Sequence, residues 1–460
     1  MNSDELMPIV HTFVVKVYKS CGPGAPGTWR KAGGRPMAEY RMKADYKVKD
    51  IALADAGRRN IEWAESRMEA VLRIRQRFAK ERPFEGLRVG MALHVTKETA
   101  VLVETLKAGG ADVSICSCNP LSTQDDVAAA LAKSGVRVFA HKGETVEEYY
   151  DHLRAVIAAK PQLTVDDGCD LVSEIHKSAK ELIPTLIGGT EETTTGVIRL
   201  RAMERDRALK YPVVAVNDNK TKHLVDNYYG TGQSTLDGIL RASNVLIAGK
   251  TLVVAGYGDC GKGVAQRARG MNANVIVTEV KAFCALQAAL DGFRVMPMSE
   301  AAPQGDIFIT VTGNKHVIRK EHFLAMKEGA VLANSGHFDI EIDLAALKGL
   351  AKGVRRIRPF LDEYTLAGGR KLFVGGEGRL INLAAAEGHP SEVMSFSFCG
   401  QALALEHLVK NRGKLKPGVI TLPESVDDDI SKLHLDVLGM RIDTLTPEQR
   451  KYLESWQEGT

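Results

Sequence analysis

The sequence predicts an α/β protein in which two doubly wound parallel sheets form two domains, one inserted into the other. Short apolar runs alternate with helical patterns twice, over residues 87–140 and 251–333. This alternation is typical of parallel sheets that helices cover on both faces. The second series opens with a glycine-rich turn, Gly256-x-Gly258-x-x-Gly261, and after residue 375 the chain returns to a long helical pattern. We therefore expect the second domain to interrupt the first.

The composition is that of an ordinary globular protein and excludes a membrane span. The 460 residues are 44% hydrophobic and 26% charged, which leaves room for two or three domains. No run of 18 apolar residues is present. The net charge of +4 comes mostly from residues 1–36, because the remaining chain carries 56 basic and 55 acidic side chains. A neutral body gives no case for nucleic-acid binding.

The cysteines indicate reduced thiols. Seven cysteines without paired Cys-x-x-Cys sets are typical of a cytoplasmic enzyme. Cys116-x-Cys118 has no second half that would complete a zinc site, so we interpret both as strand residues and expect no metal.

Residues 1–36 are interpreted as a flexible N-terminal extension. Eight of the 16 residues from Cys21 to Pro36 are Gly or Pro, which sustain neither helix nor strand. The run from Thr12 to Val17 is too short and too charged for a signal peptide. Met37 opens the first stretch that is typical of a domain.

The first domain starts with apolar residues at helical spacing over 51–78, which predict one or two amphipathic helices closed by Pro83 and Gly86. The next strands are expected at Leu87–Leu93, Asp112–Cys116, Val136–Ala140, Leu163–Asp166 and Val213–Asn217, with helices at Lys97–Lys107 and Gln124–Lys133.

The second domain starts with a dinucleotide fingerprint. The apolar run Thr251–Ala255 precedes the glycine turn, and a later run ends in Glu279, 18 residues after the third glycine. Gly256 permits the tight turn, Gly258 lets the backbone approach a pyrophosphate, and Gly261 packs the helix on the strand. Glu279 would accept from ribose hydroxyls and repel a 2′-phosphate, which favours NAD over NADP.

A P-loop is the competing interpretation of the same letters. Gly256-x-x-x-x-Gly261-Lys262 fits most of that motif, but Gly263 stands where a P-loop needs Ser or Thr to bind magnesium. Later strands of this domain are expected at Phe293–Met296, Asp306–Thr310, Ala330–Ala333 and Lys371–Val374, and the final long helix at Glu392–Leu408.

These elements predict four parts of the chain. They are the extension 1–36, a substrate-binding and catalytic domain of residues 37–230 and 388–421, a Rossmann NAD domain of residues 231–387, and a C-terminal segment 422–460 that Pro423 and Pro447 break. The active site is then expected in the cleft between the two domains.

Five polar clusters stand where strands end or loops begin. Each also allows a structural interpretation as a helix cap, an Asp-rich turn, an exposed loop, an exposed ion pair or a helix start. Together, in one cleft beside a nicotinamide, they favour function. The clusters are His94 to Thr99, Asp166 to Asp170, Glu191 to Gly196, Lys222 to Asn227, and His389 to Ser391.

From about Tyr46 to Leu453 the chain resembles S-adenosylhomocysteine hydrolases (adenosylhomocysteinases). Nine segments carry the resemblance in family order: HVTKETAVLVETL, CNPLSTQDDVAAAL, DDGCDL, EETTTGV, residues 222–227, AGYGDCGKG, SGHFDIEID, EGRLINL and GHPSEVMSFSF. The resemblance implies bound NAD, a homotetramer, and reversible cleavage of S-adenosylhomocysteine to adenosine and homocysteine. It further implies that oxidation of the ribose 3′-hydroxyl makes the C4′ proton acidic, so that homocysteine leaves by elimination and water adds.

The resemblance also implies roles for individual residues. A lysine that serves as a base at the ribose would need a lowered pKa, which burial or a neighbouring cation can provide. The expected catalytic residues are His94, Asp167, Glu192, Lys222 and Asp226. The expected substrate-binding residues are Thr96, Glu98, Thr99, His337 and His389. The expected cofactor-binding residues are Thr193, Thr194, Thr195, Asn227, Gly256, Gly258, Asp259, Gly261, Glu279 and Asn382.

Three features depart from the family pattern. Thr231 stands where many relatives have a cysteine, and Lys281 and Cys284 replace the usual Asp and Asn after the ribose-binding acid. The sequence ends without the terminal Lys and Tyr arm of long-form relatives, which resembles the short-tailed archaeal and thermophilic branch. Some members of that branch act on S-inosylhomocysteine, so this substrate stays open. A 2-hydroxyacid-type dehydrogenase and a non-catalytic NAD-binding regulator would also carry a dinucleotide fingerprint.

Overall fold

Seven parallel strands form the first sheet, in the order β15-β6-β5-β4-β1-β2-β3. The computed structural model describes residues 45–457, so the predicted extension 1–36 lies outside the described residues. The strands are β1 Arg88–Ala92, β2 Asp112–Cys116, β3 Arg137–Phe139, β4 Leu163–Asp166, β5 Gly188–Glu191, β6 Pro212–Ala215 and β15 Gly418–Ile420. Every neighbouring pair is parallel, so all seven carboxyl ends lie along one edge of the sheet.

The predicted N-terminal helical region contains two helices, Ala54–Glu65 and Glu69–Glu81. Their apolar stripe is buried at Ile61, Val71 and Phe78, as helical spacing requires for a surface helix. The other helices before the second sheet are Lys97–Ala108, Asp125–Lys133, Val146–Ala158, Asp170–Ser178, Thr194–Arg205, Lys220–Lys222, the π-helix His223–Gly230, and Thr231–Ser243.

Eight strands form the second sheet, in the order β12-β13-β14-β11-β10-β7-β8-β9. The strands are β7 Thr251–Ala255, β8 Asn274–Thr278, β9 Arg294–Val295, β10 Ile307–Thr310, β11 Ala330–Asn334, β12 Ala351–Arg358, β13 Leu361–Leu366 and β14 Lys371–Gly375. The six strands from β14 to β9 are parallel, whereas β13 runs antiparallel to both β12 and β14. The two doubly wound sheets are therefore confirmed, and the second ends in an antiparallel hairpin that the sequence did not predict.

The helices around the second sheet and after it are Asp259–Gly270, Ala282–Leu290, Met298–Ala301, Lys320–Ala325, Leu344–Leu350, Ile381–Ala384, Ser391–Lys410, Glu424–Val437 and Pro447–Leu453. None of the helices in residues 45–457 is long and apolar enough to cross a bilayer.

Two local predictions were wrong. The strand expected at Val213–Asn217 ends at Ala215, and a 3₁₀ turn follows. Cys118 lies in the turn after β2 instead of on the strand. Pro423 and Pro447 divide the C-terminal segment as predicted, because each stands at the start of a helix that follows irregular chain, where a missing N–H costs nothing.

The carboxyl ends of the two sheets face each other across a cleft. A Cβ built on Gly168, after β4, would lie 2.2 Å from Nε2 of His337, which follows β11. A Cβ built on Gly313, after β10, would lie 3.5 Å from Oγ1 of Thr195. Ligands of α/β proteins bind at such carboxyl edges, so the cleft is the place to search for a site.

Candidate active site

Four of the predicted catalytic residues lie just beyond the carboxyl ends of strands in the first sheet. His94 follows β1, Asp167 follows β4, Glu192 follows β5, and Lys222 follows β6. These strands are neighbours in the order β6-β5-β4-β1. The sheet therefore brings together side chains that are far apart in sequence.

Lys222 is the cation at the centre of a buried cluster. Its Nζ lies 3.0 Å from Oδ1 of Asp226 and 3.7 Å from Oε1 of Glu192. It also donates to Oδ1 of Asn227 at 2.9 Å and of Asn217 at 3.4 Å. The predicted i, i+4 contact with Asp226 is present, but it is buried, since both side chains are only 5% exposed.

The charges of this cluster differ from the sequence-based expectation. Burial by itself lowers the pKa of Lys222, but the carboxylates of Asp226 and Glu192 outweigh burial and raise it. Burial raises the pKa of Asp226, but Lys222 and His389 lower it by more than burial raises it, so this carboxyl stays ionised. The expected lowered pKa of Lys222 is therefore wrong for this arrangement, because the charged neighbours are anions.

Glu192 is the member of the cluster that titrates near neutrality. Burial, with the negative charges of Asp226 and Asp167, raises its pKa to about 7, although Lys222 opposes the shift. Ser397 donates to Oε1, and Gln401 donates to Oε2 at 2.5 Å. Both oxygens are thus held by donors of the helix Ser391–Lys410.

Two histidines flank Asp167. Nε2 of His94 lies 3.5 Å from Oδ2 of Asp167, and Nδ1 of His337 lies 3.5 Å from Oδ1. On the other side of the His94 ring, Nδ1 lies 2.8 Å from Oγ of Ser122 and 3.2 Å from Sγ of Cys118. Burial lowers the pKa of His94 to about 4, so its imidazole is neutral near pH 7.

The segment from Thr96 to Thr99 begins a helix and also presents a buried acid. Thr96 caps the helix, because its side chain accepts from the backbone N–H of Thr99. The hydroxyl of Thr99 donates to the carbonyl of His94 at 2.6 Å. Glu98 is 1% exposed, and its Oε1 accepts from Ser391 at 2.6 Å and lies 3.3 Å from Nζ of Lys97. The predicted cap is confirmed, and a buried carboxylate lies next to it.

His389 lies between the helices Ile381–Ala384 and Ser391–Lys410 and contacts the Lys222 cluster. Its Nδ1 lies 3.0 Å from Oδ2 of Asp226, and its Nε2 lies 3.4 Å from Oγ1 of Thr231. A Cβ built on Gly230 would lie 2.6 Å from Nδ1 of His389. Only glycine leaves room for the ring at this point.

The fingerprint turn has the geometry that a dinucleotide needs. Gly256 has φ +105°, which favours glycine, and a Cβ built on Gly261 would lie 2.0 Å from the carbonyl of Gly256. A Cβ built on Gly258 would meet nothing within 4 Å. No side chain caps the N-terminus of the helix Asp259–Gly270, so its first N–H groups are available to an anion.

Two further groups fit a bound dinucleotide. Glu279 directly follows β8. Its Oε2 accepts from the backbone N–H of Tyr257 in the glycine turn at 2.8 Å. Asn382 is buried and donates to Ser234 at 3.1 Å, while its Oδ1 has no partner among the described residues. The residues present therefore fit NAD.

The three threonines are placed at a helix start instead of in an exposed loop. Glu191 ends β5, and Thr194 begins the helix Thr194–Arg205. Thr194 donates to Oδ1 of Asn217 at 3.2 Å, and Thr195 approaches Gly313 of the opposite domain. The loop interpretation was wrong for Thr194 and Thr195, which begin a helix, although Thr194 is exposed.

Several polar residues of the cleft had no individual functional role predicted from the sequence. Glu191 is wholly buried at the end of β5, and its only signal was its place before Glu192 at a strand end. Ser122 and Cys118 belong to the quoted CNPLSTQ segment, where only the resemblance pointed to them. His94, Cys118 and Asp167 each offer one atom of a kind that binds metal ions, and these three atoms lie within 4.8 Å of one another.

Comparisons with known proteins show which proteins the chain is similar to. Residues 45–187 match the family described as S-adenosyl-L-homocysteine hydrolase, and residues 227–388 match its NAD binding domain. The adenosylhomocysteinase of Sulfurisphaera tokodaii is 58% identical over 416 residues, which are 90% of this chain and 100% of that protein. That of Thermosynechococcus vestitus is 59% identical over 414 residues, 90% of this chain and 96% of that protein. The S-inosyl-L-homocysteine hydrolase of Methanocaldococcus jannaschii is 58% identical over 415 residues, 90% and 100% of the two chains.

Proposed function

The chain belongs to the S-adenosyl-L-homocysteine hydrolase family, and from this premise we propose how it hydrolyses S-adenosyl-L-homocysteine to adenosine and homocysteine with NAD. The observation that carries the proposal is the buried Lys222, Asp226 and Glu192 cluster, in the same cleft as His94 and Asp167. Two separate proton-handling groups are what oxidation at one sugar carbon and elimination at another require.

The cofactor would be held by the glycine turn and the groups around it. Gly256, Gly258, Asp259 and Gly261 would face the pyrophosphate, and Glu279 the ribose hydroxyls. The remaining cofactor contacts are assigned to Thr193, Thr194, Thr195, Asn227 and Asn382. Bound NAD supplies the hydride acceptor, and later the donor, for the 3′-carbon of the substrate ribose.

Lys222 and Glu192 would move the proton of the 3′-hydroxyl together. Lys222 is held as an ammonium and has no free lone pair, so it accepts a proton only when it releases one. Glu192, 3.7 Å away with a pKa of about 7, is the group that takes that proton. Asp226 remains ionised and orients the lysine.

His94 and Asp167 would serve the 5′ position. Because His94 is neutral near pH 7, its imidazole has a free lone pair for the C4′ proton that the elimination releases. Its low pKa then makes the imidazolium a strong acid, which gives that proton to the departing thiolate. Asp167 faces Nε2 of His94 and stabilises the imidazolium that forms. His337 approaches the same carboxylate from the other domain and would close this end of the site over the substrate.

The purine would be adenine, because of the chemistry of Glu98. A carboxylate only accepts hydrogen bonds, so Glu98 suits the 6-amino group of adenine and repels the 6-oxo group of hypoxanthine. Thr96, Thr99 and His389 are assigned to the same end of the substrate. The S-inosyl alternative is favoured by the similarity to the Methanocaldococcus jannaschii enzyme and by the resemblance to the short-tailed branch.

Thiol release from the two substrates tests both the function and the base. The holoenzyme is expected to release homocysteine from S-adenosylhomocysteine at least about tenfold more efficiently than from S-inosylhomocysteine. Glu98→Gln can donate to a 6-oxo group and is expected to reduce that ratio. Thiol from neither substrate, with NAD bound, would refute the hydrolase, and a preference for the inosine compound would refute the role of Glu98.

We also propose that the protein is a cytoplasmic homotetramer. In each chain, residues 37–230 and 388–421 would form the substrate-binding domain, and residues 231–387 the NAD domain. The free thiols of the six cysteines in residues 45–457 support a reducing compartment. Val280, Phe283 and Leu290 are 94%, 70% and 78% exposed, and a patch of this kind supports a subunit contact. Light scattering should give the mass of four chains, and Phe283→Glu should reduce it. A monomeric holoenzyme would contradict the tetramer.

A further inference from the structure

One buried carboxyl group in the cleft has no part in the chemistry above. Glu191 ends β5 and is paired in register with Asp166 at the end of β4. Both side chains are 0% exposed. Burial, with the charges of Asp166 and Asp167, raises the pKa of Glu191 well above its usual value. Burial of a carboxyl group costs free energy unless hydrogen bonds to the protein replace those to water.

The hydrogen bonds of Glu191 join two turns. Its Oε1 accepts from the backbone N–H of Gly168 at 2.9 Å and from that of Thr193 at 3.1 Å. The first N–H belongs to the turn that carries Asp167. The second belongs to Thr193, which precedes the helix Thr194–Arg205 and is one of the three threonines assigned above to the cofactor. One oxygen atom thus connects the 5′ side of the site to its cofactor side.

The turn after β4 needs such a tether. Gly168 has φ +105°, and Cys169, which is not glycine, has φ +65°. Two successive residues in the left-handed region have few ways to remain ordered without support from outside the turn. Arg199 holds the carbonyl of Gly168 from one side, and Glu191 holds its N–H from the other.

The sequence leaves a space for this carboxyl group. A Cβ built on Gly196 would lie 2.1 Å from Cδ and 2.2 Å from Oε1 of Glu191. Gly196 lies inside the helix Thr194–Arg205 with no positive φ, so its backbone alone does not require glycine. The missing side chain is what admits Glu191.

We propose that Glu191 is a positioning residue that fixes Asp167 relative to the cofactor-side threonines through its two backbone hydrogen bonds. This inference rests on the function proposed above and adds a residue to it. The reaction links hydride transfer at the 3′-carbon to proton transfer at the 5′ end of one sugar, so both groups must be correctly placed at once. A misplacement of about 1 Å is sufficient to reduce turnover roughly 10²-fold.

Two substitutions separate reach from charge. Glu191→Asp keeps the carboxyl but shortens the side chain by one methylene, so Oε1 no longer reaches both N–H groups. Glu191→Gln keeps the reach and one carbonyl oxygen but cannot ionise. We expect Asp to reduce kcat roughly 10²-fold with little change in KM, and Gln to stay within about tenfold of the wild type.

Gly196→Ala tests the same contact from the other side. Alanine is a better helix former than glycine, yet its methyl group would displace the carboxyl of Glu191. We expect a fall in kcat similar to that of Glu191→Asp, without a lower melting temperature.

Glu406 provides the matched control in the same domain. It is 5% exposed and binds Arg77 through both carboxylate oxygens, at 2.7 and 2.9 Å, away from the cleft. Glu406→Asp and Glu406→Gln are expected to change stability and leave kcat unaltered.

Thiol release, melting temperature and retained NAD are measured for all variants beside the wild type. An inactive wild type refutes the proposed function. An active wild type with Glu191→Asp at least as active as Glu191→Gln overturns the positioning role, because charge would then matter and reach would not. A Gly196→Ala variant with normal kcat also overturns it.

Discussion

Replacement of Lys222 by methionine is the sharpest test of the buried charge cluster. The substitution keeps an unbranched side chain of similar length and removes the ammonium group. Asp226, at 3.0 Å, and Glu192, at 3.7 Å, would then share the interior without their cation. The carboxylate of Asp226 would retain its contact with Nδ1 of His389 at 3.0 Å.

The expected cost in stability follows from burial. The side chains of Lys222 and Asp226 are each 5% exposed, and removal of one partner of a buried ion pair costs roughly 3–5 kcal/mol. The double variant Lys222→Met with Asp226→Asn removes both charges, so its cost should be smaller than the sum of the single costs by about 0.5–3 kcal/mol. Turnover should fall roughly 10²–10⁴-fold, because the cluster's proton transfer is lost.

Urea denaturation and thiol release measure the two effects separately. Lys133→Met is the matched control, because Nζ of Lys133 lies 2.7 Å from Asp55 but the two side chains are 60% and 79% exposed. An exposed pair of this kind contributes at most about 1 kcal/mol. The reasoning would be refuted if Lys222→Met cost no more than Lys133→Met, if the double variant were additive, or if turnover were normal.

Gly258→Ala is expected to lose retained NAD but, without NAD, to melt at the wild-type temperature, since a Cβ there meets only open space. Gly261→Ala should reduce both, because its Cβ would lie 2.0 Å from a carbonyl. NAD released on denaturation and thermal melts of the NAD-free proteins measure this. For His94, the folded chain has a pKa of about 4, against an ordinary value of 6.5 in the unfolded chain. The unfolded chain thus binds the proton first on acidification, and about 3 kcal/mol of stability should be lost between those pH values. His94→Asn should flatten that slope in melts recorded against pH.

Local sequence patterns predicted the apolar strands and the strand ends at which polar residues lie. Asp112–Cys116, Leu163–Asp166 and Thr251–Ala255 have the predicted bounds, because β-branched runs between turn residues have few other structures open to them. The cleft followed from the rule for carboxyl ends. Specific site residues came from the resemblance, since no local pattern distinguishes a catalytic His94 from one that only contacts a cap.

What the sequence did not predict depends on partners far along the chain. Residues of β5, Gly188–Glu191, have no apolar run, and only their position between β4 and β6 makes them a buried strand. No strand was predicted over β12, Ala351–Arg358, whose basic side chains lie on an exposed edge strand, where charge is common. The pKa of Lys222 is raised instead of lowered, because the direction of the shift depends on which charges the fold places around the lysine.

The charges around Lys222 also decide where a proton can go, and this gives a pH dependence. Asp226 stays ionised because Lys222 and His389 lower its pKa, so it is a poor acceptor near neutrality. Glu192 has a pKa of about 7 and is the acceptor only while it is ionised. Activity on S-adenosylhomocysteine should therefore fall as the pH decreases through about 7. Glu192→Gln should have low activity without this acidic limb. An unchanged limb in that variant would show that the proton from the ribose goes elsewhere.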